Sequence, residues 1–343
     1  MRPTYTLDTQ GFATFDITVI LSTYNRCEDL AGTLQSMAAS RVASSVTWEV
    51  LVVDNNSTDQ TRNVVDGFCR RYPGLFHYIF EPNQGVSYAR NAGIANARGA
   101  VLAFTDDDVE VEPTWLQNLT AEMLNDSEWA GAGGRILPAQ KFTAPDWLSN
   151  DLDTWAGIVF AYFDLGNEAG ELHRVPYGAN MAFRKAAFAK YGGFRTDLGR
   201  NPDDKIGNED TEFGRRLMAA GERLRYEPSA IVYHHVVPAR MTQEYFLSWW
   251  FDYGRAMIRE RGDRPDVYGV PRNYFALLRR AAEIPGTTLR WMFATHQQQR
   301  FRNKCFVWNQ AGEIMEIYRR SIDRQRTKAA GELETKAGRP SHP

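Results

Sequence analysis

The sequence predicts an α/β protein in which a mostly parallel sheet is flanked by helices and followed by a helical C-terminal extension. Three observations predict it. Through about the first hundred residues, short β-branched or apolar runs alternate with amphipathic stretches of helix length. Polar clusters directly follow three of those runs. After about Met241 the strand-length runs stop, and a helical, aromatic and basic pattern takes over.

Taken in order, residues 17–21, 48–53, 76–80 and 100–104 read as strands, and 29–39, 58–72 and 86–97 as the helices between them. Such alternation predicts strands that run parallel and are covered on both faces. The polar clusters at 22–26, 54–57 and 106–108 follow the first, second and fourth strands. In open α/β sheets the ligand crevice lies at the carboxyl ends of the strands, so these clusters are expected to converge. From about Ala130 the pattern turns irregular, with Trp115, Trp129, Trp147 and Trp155 spread around the transition. Residues 209–220 then read as a helix with Phe213, Leu217 and Met218 on one face, and 230–233 as a further strand. The boundaries expected are a first domain over 1–239, a helical extension over 240–326, and a tail over 327–343 too poor in apolar residues to order.

Composition limits the function classes. With 343 residues, 43% hydrophobic and 24% charged, the chain fits a globular protein with a sizeable core. A formal net charge of −2 gives no global attraction to nucleic acid. Cys27, Cys69 and Cys305 match neither a disulfide framework nor zinc-ligand spacing, which favours a reducing compartment. The N-terminal residues lack a basic segment leading into an apolar run, and no stretch approaches about 18 uninterrupted apolar residues. A cytoplasmic protein is expected. Dinucleotide, P-loop, nucleophile-elbow and H-E-x-x-H signatures are all missing.

Three adjacent carboxylates, Asp106, Asp107 and Asp108, follow an apolar run. Carboxylates this close repel, which raises their proton affinity unless a cation sits among them. A hard divalent ion such as Mg²⁺ or Mn²⁺ meets that need, and a diphosphate brings further oxygens to the same ion. The competing reading is a solvated acidic turn that caps the next helix. Asp54 fits an Asx-turn or helix cap, or else an acceptor for the N3 hydrogen of a uracil. Tyr24 offers a ring for base stacking, and Arg90 is either a helix charge facing solvent or a cation near the same edge. Glu209 and Asp210 open a helix, where acids serve as caps; the alternative is a general base for an attacking hydroxyl. His234 and His235 are structural or exposed, or else an imidazole nitrogen completes a metal's coordination shell.

Together these residues resemble family 2 glycosyltransferases over about residues 16–239. The ordered motifs that carry the resemblance are VILSTYNR at 19–26, VVDNNSTD at 52–59, NQGVSYARN at 83–91 and FTDDD at 104–108. Downstream, GANMAFR at 178–184, NED at 208–210 and VYH at 232–234 continue it. The resemblance implies a GT-A fold, with a nucleotide-binding half at about 16–110 and an acceptor side at about 130–239. It implies that Thr23, Tyr24, Asp54 and Arg90 hold the nucleotide. Asp106 and Asp108 become the pair for ribose, diphosphate and metal, with Asp107 as the spacer within the same donor-binding stretch. Gly178 and Asn180 fall on the acceptor-side loop, Asp210 becomes the catalytic base, and Glu209 orients the acceptor. Of the two histidines, His234 becomes the late metal ligand, beside Mn or Mg as cofactor.

The activity so implied is metal-dependent, inverting transfer from a nucleotide diphosphate sugar, UDP-sugar preferred, to a hydroxyl of a glycan, lipid-linked or small-molecule acceptor. Processive members add Q-x-x-R-W and membrane helices; their absence favours single addition. A nucleotidyltransferase and a non-catalytic nucleotide-sugar-binding protein are the alternatives, and the first would want a basic glycine-rich loop near the N-terminus. In the extension, Arg279, Arg280, Arg290, Arg300, Arg302, Lys304, Arg319, Arg320, Arg324 and Arg326 outnumber Glu283, Glu313, Glu316 and Asp323. Interleaved apolar residues such as Phe275, Leu278, Met292, Phe293, Phe301 and Phe306 suit either helix packing or peripheral contact with the inner face of a membrane. No clean single apolar face can be drawn from the sequence alone.

Overall fold

The computed structural model describes residues 6–7, 13–126, 128–140, 143–149, 152, 155–202, 204–262 and 272–337. They form two compact units, one ending at Arg240 and one beginning at Met241, with Asp146–Leu148 belonging to the second.

The first unit opens with β1 (Thr6–Leu7), β2 (Ala13–Thr23), α1 (Cys27–Ala38), β3 (Trp48–Asp54), α2 (Thr61–Arg71), β4 (Phe76–Phe80), α3 (Val86–Asn96) and β5 (Gly99–Thr105). Ile17, Thr18, Val19, Ile20 and Leu21 are all buried, so both faces of β2 are covered. Helix α3 lies close on that strand, since a Cβ at Gly93 would come within 2.4 Å of Ile20. The strands β4, β3, β2 and β5 are mutually parallel, in that order.

Beyond β5 the sheet becomes mixed. There follow β6 (Val109–Val111), α4 (Trp115–Asn125), β7 (Trp129–Pro138), β8 (Gly170–Glu171), β9 (Met181–Arg184), α5 (Lys185–Tyr191), α6 (Glu209–Ala219) and β10 (Arg223–His234). The sheet continues from β5 through β9, β7 and β10 to β6. Strand β9 is antiparallel to both β5 and β7, β10 is parallel to β7, and β6 is antiparallel to β10. A cluster of Phe104, Phe183, Phe188, Phe194 and Phe213 fills the space between sheet and helices, with Phe188 stacked on Phe213 at 4.4 Å.

The second unit contains α7 (Gln243–Arg261), α8 (Arg272–Phe293) and α9 (Gln297–Ala337). Helices α7 and α9 approach closely at paired glycines: a Cβ at Gly254 would meet the Asn309 carbonyl at 2.1 Å, and one at Gly312 the Phe251 carbonyl at 2.0 Å. Trp147 joins this unit through edge contacts with Phe246 and Phe301 at 5.3 and 4.6 Å, which is why a short piece of the irregular region departs from the single cut expected in sequence. The expected unstructured tail is corrected as far as Ala337, where α9 ends. Low apolar content does not oppose a helix, and the Lys, Ala, Glu and Leu of this stretch are strong helix formers. Residues 338–343 lie outside those described.

Candidate active site

Parallel register brings the polar clusters to one edge of the sheet. Thr23 stands opposite Asp54 and Leu21 opposite Thr105, so the acidic triplet begins one residue past the end of β5. The chain then reverses into β6, whose antiparallel pairing with β10 sets His234 opposite Val109. The His235 N–H donates to the Asp108 carbonyl at 3.3 Å and locks that register.

Asp106, Asp108 and His234 each present a ligand atom, and these atoms lie within 4.8 Å of one another. Asp107 and Asp108 are only 6% and 7% exposed, so the solvated-turn reading fails. Their charge is balanced by the chain's own cations. Arg26 Nη1 donates to Asp108 Oδ2 at 2.6 Å and Asp107 Oδ1 at 3.2 Å; Arg240 Nη2 donates to Asp108 Oδ2 at 3.3 Å. Burial alone would raise the Asp108 carboxyl, but His234, Arg26 and Arg240 together hold it well below the usual carboxylate range. Burial pushes Asp107 up to about 7, with Arg26 opposing. The Thr23 hydroxyl donates to Asp107 Oδ2 at 2.7 Å. His234 is 4% exposed, and among the described residues its Nδ1 has no hydrogen-bond partner. Two carboxylates and an imidazole gathered this closely, with an orphaned ring nitrogen, fit a divalent ion of the Mg²⁺ or Mn²⁺ class.

Next to the triplet, Arg90 is 5% exposed rather than facing solvent. Its Nη1 pairs with Glu209 Oε1, and its Nη2 lies 3.4 Å from Asp106 Oδ1. The backbone at Gly178 crosses directly over this guanidinium, where a Cβ would stand 2.3 Å from Nη2. The Gly178 N–H donates to Asp210 Oδ2 at 2.6 Å, while Asp210 Oδ1 accepts from the Thr211 N–H at 2.6 Å. Glu209 is buried and Asp210 half-buried. Asn208 enters the helix at φ 85°, a left-handed conformation that asparagine tolerates better than most residues. Asp54 is buried at the end of β3, with Oδ1 accepting from the Ser57 N–H at 2.9 Å and Oδ2 from the Tyr78 hydroxyl at 2.8 Å. Tyr24 is exposed, one residue past the end of β2.

Asn180 lies two residues beyond Gly178, on the loop expected at the acceptor side. It is fully buried, accepts from Trp115 Nε1 at 2.8 Å, and donates through Nδ2 to the Arg135 and Ala230 carbonyls at 2.7 and 2.8 Å. The register between β7 and β10 shifts between Glu227 and Ile231, and the Asn180 amide satisfies carbonyls on both sides of that irregularity. In this structure it braces the sheet.

The profile of glycosyl transferase family 2 matches residues 18–192. The chain is 33% identical to the succinoglycan biosynthesis protein ExoM of Rhizobium meliloti, over 69% of this chain and 71% of that protein. It therefore belongs to glycosyl transferase family 2. A second relative, a glucosyl-dolichyl phosphate glucuronosyltransferase of Haloferax volcanii, is 28% identical over 71% of this chain and 77% of its own. Among solved structures, the mannosyltransferase PcManGT from Pyrobaculum calidifontis, in complex with GDP-Man and Mn²⁺, superposes with a TM-score of 0.58 at 15% identity, covering 92% of this chain and 91% of that one. The fold is GT-A, and the protein is a glycosyltransferase. Membership of family 2 sets aside the nucleotidyltransferase alternative.

In this family 2 enzyme, Arg26, Tyr78 and Asn55 join the residues expected at the site. Arg26 ends the first polar cluster, and the need to balance three adjacent carboxylates is the signal that points to it. Asn55 braces the carboxyl edge of the sheet: its Oδ1 accepts from the Gly85 N–H at 2.7 Å and its Nδ2 donates to the Asn83 carbonyl at 2.7 Å. Tyr78 carries no polar-cluster signal, because it lies in the middle of β4 and reaches Asp54 only through the sheet register.

Proposed function

We propose that this glycosyltransferase moves a sugar, with inversion, from a UDP-sugar to a hydroxyl of a glycan, lipid-linked or small-molecule acceptor, with a divalent ion held by Asp106, Asp108 and His234. The observation that carries this reading is the approach of those three ligand atoms to within 4.8 Å at the carboxyl edge of the sheet. Bound there, Mn²⁺ or Mg²⁺ supplies charge neutralisation for a leaving diphosphate. Arg26 and Arg240, already on Asp108, are cations of the chain available to the same phosphates. Asp54 and Tyr24 take the base, Asp54 as acceptor and Tyr24 as a stacking face.

Asp210 is the base that takes the acceptor proton as the hydroxyl oxygen bonds to the anomeric carbon and the bond to diphosphate breaks. Its more open carboxylate supports this, whereas Glu209 is committed to Arg90. The Gly178 and Thr211 amides orient Asp210. The ExoM name points to polysaccharide synthesis, and the name of the Haloferax relative to a lipid-linked sugar phosphate; both support a glycan or lipid-linked acceptor. Among the described residues, no helix is long and apolar enough to cross a membrane. A peripheral place on the inner face of a membrane suits a lipid-linked acceptor.

The test is a panel of UDP-, GDP- and dTDP-sugars, scored for nucleotide release with Mn²⁺, with Mg²⁺ and with EDTA. Release from a UDP-sugar that EDTA abolishes is the expected result. Release confined to GDP-sugars overturns the base assignment, and release undiminished by EDTA overturns the metal assignment.

A further inference from the structure

We propose that α8 lies on the surface of an anionic lipid bilayer, with the face bearing Phe275, Leu278, Leu289, Met292 and Phe293 buried in the acyl boundary. This gives the peripheral contact suggested above a defined surface, and it rests on that reading only for its purpose, not for its physics. The five side chains are 53%, 66%, 53%, 58% and 75% exposed. At 3.6 residues per turn they fall, with exposed Ala282 and Pro285, within about 100° of arc. The opposite face is occupied within the same unit: Arg280 pairs with Glu313, and the Trp291 ring meets Trp308 at 6.1 Å. The single apolar face that the sequence alone did not yield emerges once the packed half of α8 is subtracted.

Charge selects the occupant. Arg279, 67% exposed, and Arg290 border the stripe along one side. Between Arg272 and Lys328 there are twelve basic residues against four acids. Glu313 and Glu316 are buried against Arg280, Arg255 and Arg259, and Glu283 pairs with Arg279 and Arg280, which still leaves the basic residues in excess. At the α8–α9 turn a cleft of about 550 Å³ sets Arg290, Arg302, Gln299 and Asn303 beside Phe293 and Phe306. Hydrogen-bond donors and cations therefore sit next to the most exposed of the apolar side chains. A bilayer with anionic head groups offers phosphates at one depth and acyl chains immediately below, which matches both halves of this surface. A second copy of the chain would bring a like-charged margin against this one and is disfavoured.

The experiment is flotation of the full chain with vesicles of phosphatidylcholine alone and of equimolar phosphatidylcholine and phosphatidylglycerol. The variants are Leu289→Glu combined with Phe293→Glu, and Arg279→Glu combined with Arg290→Glu; all four positions are exposed, and circular dichroism checks the fold. The wild type is expected to float with the phosphatidylglycerol vesicles at low salt and to lose most of that binding at high salt. Both variants are expected to stay in the dense fraction while still releasing nucleotide from donor, which separates this proposal from the catalytic one. A wild type that does not float at low salt overturns it, as does a Leu289/Phe293 variant that floats like the wild type. Self-association of the wild type without flotation, abolished by the same variant, assigns the face to a second copy and also overturns it.

Discussion

His234 Nε2 lies 3.4 Å from Asp108 Oδ1, although the two residues belong to distant parts of the chain. The antiparallel step from β10 to β6 makes this contact, and with it the third corner of the candidate metal-binding group. Asp108→Asn keeps the shape but removes the charge. Nucleotide release is expected to fall by on the order of 10²–10³, the loss typical of removing one electrostatic contact to a developing charge. Steady-state assay beside calorimetric Mn²⁺ titration checks it, with metal affinity and rate expected to fall together.

Asp210→Asn retains an oxygen for the Gly178 amide but has no basicity for the acceptor proton. Transfer is expected to fall by about 10²–10⁴, the usual contribution of a positioned base. UDP affinity measured by calorimetry stays at the wild-type value. A matching collapse of UDP affinity would contradict the role given to Asp210.

Gly178→Ala introduces a methyl group 2.3 Å from Arg90 Nη2. The guanidinium is 5% exposed and pairs with Glu209, so it has little room to retreat. A stability loss of about 1–3 kcal/mol is expected from overpacking, read as a lower denaturation midpoint. Activity falls further than stability, because displaced Arg90 releases both Glu209 and Asp106.

Asn180→Ala leaves two carbonyls and the Trp115 N–H without their partner. Each unsatisfied buried group costs about 1–3 kcal/mol, so this substitution is expected to destabilise more than Gly178→Ala does. The folded fraction retains its acceptor KM. A raised KM with unchanged melting temperature would return Asn180 to the acceptor side.

The parallel half of the fold was legible because each strand is a local apolar run and three of the four end at a polar cluster. Thr23, Asp54 and the acidic triplet reach one edge by the ordinary topology of such sheets, so their convergence followed from pattern alone. The mixed half was not legible in this way. Strand β9 has only Met181, Ala182, Phe183 and Arg184, and its antiparallel placement between β5 and β7 depends on tertiary packing. Arg90 illustrates the same limit within the site: its helix was evident, but whether a charge on it faces solvent or Glu209 depends on where α6 packs. The burial of Asn180 was not legible either, because a motif gives position along the chain and not burial.

Paramagnetic resonance titration of Mn²⁺ in the presence of UDP tests the proposal that Asp106, Asp108 and His234 hold one divalent ion. A single stoichiometric site is expected in the wild type, its affinity lowered at least about tenfold by His234→Ala, as loss of one protein ligand requires. Asp106→Asn is expected to weaken it similarly. Mn²⁺ binding of undiminished affinity in both variants would contradict this metal site.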